Sequence, residues 1–157
     1  MGSITTSRLL VVGGTLLLAA CARPHISPIA PPPYRGIVEA SYDKTWKAII
    51  RSLARQNLPL RAVARDSGVI ATDDFVTPIN LYADCGQVSG EQLQGESLVS
   101  FTIFVEPEGD QTRVQVNAKM RSRGSAGWLR ARPAYQCAST DKFEANLLDA
   151  VRELVRE

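Results

Sequence analysis

Four groups of residues in this 157-residue chain have types that chemistry could use. Asp66-Ser67 sets a hydroxyl beside a carboxylate. Asp73-Asp74 pairs two carboxylates. Arg121, Arg123, Arg130 and Arg132 surround Trp128. The three cysteines are Cys21, Cys85 and Cys137, and His25 is the one histidine. A serine nucleophile needs a base to take its proton. The only histidine lies in a proline-rich stretch, so Asp66-Ser67-Gly68 reads as a turn. Neighbours on a strand point to opposite faces, so Asp73-Asp74 makes a poor acid–base couple. No G-x-S-x-G, phosphate loop or metal-ligand cluster occurs. The reading is therefore non-catalytic, with no cofactor and no metal. The arginine segment is the candidate contact surface. Arginine forks suit phosphate, and a tryptophan flank suits a membrane or glycan surface. The plainer reading of the same residues is a solvated loop beside a strand end.

Cys21 closes an apolar run from Leu9 to Ala20. A spanning helix needs about twenty such residues. Arg8 before the run and small residues at its end follow the pattern of a secretory signal peptide. Leu18-Ala19-Ala20-Cys21 resembles the lipobox of bacterial lipoproteins. That resemblance implies cleavage after residue 20, a diacylglycerol on the Cys21 sulfur and a fatty acid such as palmitate on its amine. Each buried lipid CH₂ contributes about 0.8 kcal/mol, and more than one chain makes anchoring stable. Ala22, rather than Asp, follows the cysteine. By analogy with such lipoproteins, this favours an outer-membrane anchor with the domain facing the periplasm. Residues 21–34 carry Pro24, Pro28, Pro31, Pro32 and Pro33 and read as a semi-rigid polyproline spacer.

The envelope compartment so implied is oxidising, and there the remaining even pair, Cys85 and Cys137, reads as a disulfide. A structural metal site would want about four Cys or His ligands, and only His25 could join the pair. Removing Arg8 from 18 basic residues leaves 17 against 16 acidic ones in the mature chain. That balance gives no reason to expect a nucleic-acid partner.

Residues 35–157 make a single domain with enough chain for its own core. A short strand near Gly36–Ala40 leads to a helix capped by Ser41, with Asp43 in its positive first turn. Tyr42, Trp46, Ile49, Ile50 and Leu53 share one face of it. Asn57 and Pro59 end it. Two strands follow around Asp66-Ser67-Gly68, with Val63, Val69 and Ile70 as apolar positions. A short extended piece over Leu81–Cys85 precedes a polar loop from Gln87 to Glu96, the expected mobile element. Val114, Val116, Ala118 and Met120 alternate with polar residues, which marks a half-buried antiparallel strand. Leu98–Val105 is its more apolar partner. A closing helix is capped by Ser139 or Thr140 and buries Phe143, Leu147, Val151, Leu154 and Val155. The expected class is α+β in two layers: a mainly antiparallel sheet and two amphipathic helices, in the order β-α-β-β-β-β-α.

The segment SYDKTWKAIIRSLARQNLPLRAVARDSGVIATDD resembles the helix–hairpin unit of BamC-type envelope lipoproteins of helix-grip shape. The matching positions are Tyr42, Asp43, Trp46, Asp66 and Gly68. This chain departs from them in having one such domain and in adding Cys85 and Cys137. The resemblance implies a non-catalytic accessory or assembly module, docked on an envelope protein complex and tied to the membrane by its lipid. The alternative is a binding domain for an anionic lipid, lipopolysaccharide or glycan.

Overall fold

A computed structural model describes residues 24–123 and 133–157. Cys21, Trp128, Arg130 and Arg132 lie outside the described residues.

The chain begins with a short strand β1 (His25–Ile26), then β2 (Tyr34–Val38) and helix α1 (Tyr42–Arg55). The hairpin β3 (Leu60–Ala64) and β4 (Val69–Thr72) follows, then β5 (Phe75–Pro78), one turn of helix α2 (Ile79–Tyr82) and β6 (Ala83–Asp84). A small hairpin, β7 (Gln87–Val88) and β8 (Glu91–Gln92), precedes the two long strands β9 (Glu96–Glu108) and β10 (Gln111–Ser122). Strand β11 (Gln136–Ser139) and helix α3 (Lys142–Leu154) close the chain.

The main sheet has eight strands in the order β3-β4-β9-β10-β11-β6, with β5 also on β9 and β2 also on β10. Each pairing in it is antiparallel. Strands β9 and β10 form its spine, in register from Gln111↔Glu108 to Ser122↔Ser97. Their period-two patterns send Val99, Phe101, Ile103 and Val105, with Val114, Val116 and Met120, to one buried face. Helices α1 and α3 cover that face with Trp46, Ile49 and Leu53, and with Phe143, Leu147, Leu148 and Val151. Phe101 stacks on Phe143 at 3.7 Å between ring centroids. This is the two-layer α+β arrangement that the sequence predicts.

Several local expectations change. The order gains β1, β5, α2, β7, β8 and β11, while β6 falls within the extended piece expected over Leu81–Cys85, whose first two residues belong to α2. The Gln87–Glu96 loop holds the β7–β8 hairpin rather than irregular chain. Ser41 stands at the helix start without a side-chain capping bond. At α3 the N-cap is Asp141, in the left-handed region with φ 58°. Thr140 instead donates to the Tyr82 carbonyl at 3.2 Å. Val63 is half exposed, because β3 is an edge strand with the core behind only its neighbour. Ala118, Leu154 and Val155 are only partly buried. Glu144 sits on the inner side of α3 and is buried.

Candidate functional site

On the sheet face away from the helices, the polar positions of β9 and β10 alternate with the core residues. Ser100, Thr102, Lys119 and Arg121 therefore project together, with Lys119 directly across from Ser100. Arg61 from β3 joins them, as do Thr72 at the end of β4 and Asp73 and Asp74 from the β4–β5 connection, around an open cleft of about 610 Å³. Three cations and two carboxylates thus line one polar depression. Arg121 pairs with Asp74 at 2.8 Å. Among the described residues, neither Arg61 nor Lys119 makes an ion pair. Exposed ion pairs contribute about 0–1 kcal/mol, so the Asp74 contact orients the Arg121 fork more than it stabilises the fold.

Of the five predicted contact residues, the structure describes two. Arg121 lines the cleft. Arg123 leaves the end of β10 and pairs with Glu96 at 2.8 Å, while its amide donates to the Glu96 carbonyl. Each of these arginines thus shares its charge with a carboxylate. Trp128, Arg130 and Arg132 fall outside the described residues. Sequence reasoning missed Arg61 and Lys119. Lys119 was legible as a wet-face residue of its strand, but Arg61 joins only through the strand order β3-β4-β9-β10. The carboxylates Asp73 and Asp74, set aside as an acid–base couple, reappear as the acidic rim of this cleft.

Cys85 and Cys137 are joined, and both are buried. The bond ties the stretch after β6 to β11 across 52 residues. In the chain-entropy model such a loop contributes about 4 kcal/mol. Residues 24–26, expected within a spacer, lie against this disulfide. His25 pairs with Val88 and Ile26 with Gln87. The His25 Nε2 lies 2.9 Å from the Cys85 carbonyl, and its ring stacks on Tyr135 at 3.8 Å. The Pro24 carbonyl accepts from the Ser89 amide at 3.1 Å.

Tyr42, Asp43, Trp46 and Gly68 have structural work in this chain. The Tyr42 hydroxyl donates to the Arg65 carbonyl, and Arg65 pairs with Asp43 at 2.5 Å. These bonds clamp the start of α1 to the β3–β4 turn. Burial of the Tyr42 phenol raises its pKa, although nearby Arg65 opposes the shift. Ser67 donates to the Ala64 carbonyl at 3.3 Å, so it serves the turn. Gly68 has φ 68°, and an added Cβ would lie 2.1 Å from the Val105 carbonyl oxygen. Trp46 is buried in the core against Tyr42.

Glu144 is the one buried carboxylate among the described residues. Its Oε1 accepts from the Ser139 hydroxyl at 2.6 Å, and its Oε2 has no partner there. Burial pushes its pKa above the ordinary carboxylate value, with Asp141 adding to the shift and the Ser139 bond opposing it. Ser139 in turn accepts the Asp141 amide at 3.0 Å. The group is therefore tied into the start of α3. Among the described residues no helix is long and apolar enough to cross a membrane.

No family model matches the chain, and no curated protein matches it. Among solved structures it is similar to a DUF4468 family protein from Bacteroides ovatus ATCC 8483. That similarity has 10% identity and a TM-score of 0.39, over 68% of this chain and 64% of that one. The chain thus spans just under two thirds of that protein's length.

Proposed function

We propose that this protein is a non-catalytic, lipid-anchored envelope protein that acts as an interaction or assembly module at the outer membrane. Cys21 carries the lipid, and the domain faces the periplasm. The observation that carries the interaction reading is the edge of the sheet at β3. All of its residues are exposed, including the apolar Leu60 and Val63, and among the described residues it pairs with β4 alone. An open edge of this kind accepts a partner strand by main-chain hydrogen bonds, with alternate side chains supplying specificity.

The test places a photo-crosslinking residue at Val63 in cells that produce the full chain. A discrete adduct is expected from Val63, no adduct from the same probe at Glu108, and loss of the Val63 adduct on Leu60→Glu. An absent adduct, or an equal one at Glu108, removes the edge as the contact.

The second reading is favoured by the cleft of Arg61, Lys119 and Arg121. It takes an anionic lipid, lipopolysaccharide or glycan as ligand. Binding to anionic vesicles that falls steeply with salt, and that Arg61→Glu with Lys119→Glu abolishes, supports this reading. Salt-independent behaviour leaves docking alone.

A further inference from the structure

The proline-rich segment after Cys21 does not leave the domain on a long tether. Ser89 and Pro24 share a hydrogen bond, and β1 pairs with β7. His25 is held by the Cys85 carbonyl on one side and by the Tyr135 ring on the other. At Gly86, with φ 76°, an added Cβ would lie 2.0 Å from the Ile26 carbonyl oxygen. The segment therefore presses backbone to backbone on the residue beside Cys85. A side chain larger than hydrogen at that position would push it off.

Only Ala22 and Arg23 stand between Cys21 and this docked strand. A fully extended chain spans at most about 3.6 Å per residue, so the Cys21 Cα lies within about 11 Å of the Pro24 Cα. The polar layer on each side of a bilayer is about 5–7 Å thick. A lipid on Cys21 would thus hold the Pro24–Ile26 strand and the Ser89-Gly90 tip of the β7–β8 hairpin at the headgroups. The same region exposes two isoleucines, Ile26 at 64% and Ile29 at 95%. Both offer apolar contact to a bilayer. The opposite end of the sheet is the Gly109-Asp110 turn. It lies about 30 Å along β10 from Met120, at about 3.3 Å per residue, and Met120 is the residue that pairs with Cys137.

We infer that the disulfide end of the domain is its bilayer-facing surface, with the docked Pro24–Ile26 strand and the β7–β8 tip seated on the phospholipid headgroups around the anchor. The inference rests on the reading of Cys21 as the lipid attachment site. It sets Arg121, one residue beyond Met120 on β10, in the membrane-proximal half of the molecule. It leaves the Gly109-Asp110 turn projecting into the periplasm.

The test uses the full processed protein, with its lipid verified by mass spectrometry, in nanodiscs that contain a nitroxide-headgroup phospholipid. Paramagnetic broadening of the Ser89, Gly90 and Glu91 amides is expected to exceed that of Gly109 and Asp110 severalfold. Equal or reversed broadening in lipid-bearing protein overturns the orientation alone. Protein that carries no lipid overturns the Cys21 reading and the inference with it. A second variant inserts twelve Gly and Ser residues between Arg23 and Pro24. It keeps both lipid and docked strand but adds a flexible tether of about 20 Å root-mean-square length. Its end-selective broadening is expected to vanish. Selectivity that persists means the short tether does not orient the domain.

Discussion

Glu144 shows how one side chain can set a pH response. Its carboxyl is buried at the start of α3 with one oxygen unpartnered among the described residues, and its pKa is raised. In the unfolded chain it titrates near the usual value of about 4.3. The folded state therefore binds more protons between that value and the raised one. The stability it contributes is complete below the unfolded value and is lost as pH rises through the folded one. Glu144→Gln removes the charged form, so its unfolding midpoint should vary less between pH 4 and 7 and lie above the wild type at neutral pH. Denaturant titrations across that range check this, and a variant with the wild-type slope counts against it. Trp46 tests the core reading at the same scale. Truncating a buried tryptophan costs about 3–5 kcal/mol, so Trp46→Ala should lower the unfolding midpoint sharply. An unchanged midpoint would make Trp46 a surface residue.

At the scale of elements, the β3–β4 turn and the disulfide each hold pieces that hydrophobic burial alone would leave loose. Gly68→Val places a β-branched side chain at positive φ and against the Val105 carbonyl. Backbone strain of this kind costs about 1–3 kcal/mol. The loss should appear as reduced stability and early hydrogen exchange in β3 and β4, with β10 still protected. Uniform exchange would mean that the turn has no local role. The bond between Cys85, the residue after β6, and Cys137 in β11 braces two pairings, β10–β11 and β6–β11, of two residue pairs each. Pairings that short have little strength of their own. Replacing both cysteines by serine should therefore cost about 2–5 kcal/mol. It should also free the β7–β8 hairpin and the docked strand first, as read by protection of the Ser89 amide. Full protection of Ser89 in that variant would show the hairpin to be independent of the bond.

At the scale of the whole molecule, the proposed anchor and the docked N-terminal strand act together. Cys21→Ser should end palmitate labelling and release the protein from the membrane fraction, and continued labelling would place the lipid elsewhere. The two-layer core was legible in the sequence because burial writes itself as local periodicity. Trp46, Ile49 and Leu53 recur at the helical period, and Val114, Val116 and Met120 at the strand period, whatever their distant partners are. The disulfide was expected from an even pair of cysteines together with the oxidising compartment that the N-terminal segment implies. The cleft did not follow, because Arg61 and Arg121 lie 60 residues apart and meet only through sheet order. Ser139, Asp141 and Glu144 show the same limit at a helix end. The polar residues announce a cap, but tertiary burial decides that Asp141 takes the left-handed position and that Glu144 turns inward. The spacer is the sharpest case. Prolines foretell an extended chain, and an extended chain is what β1 is. Whether it stands free or pairs with a neighbour depends on an unpaired strand edge at Gln87–Val88 and on a glycine with room for it. Those conditions arise only once residues far apart in the chain have come together.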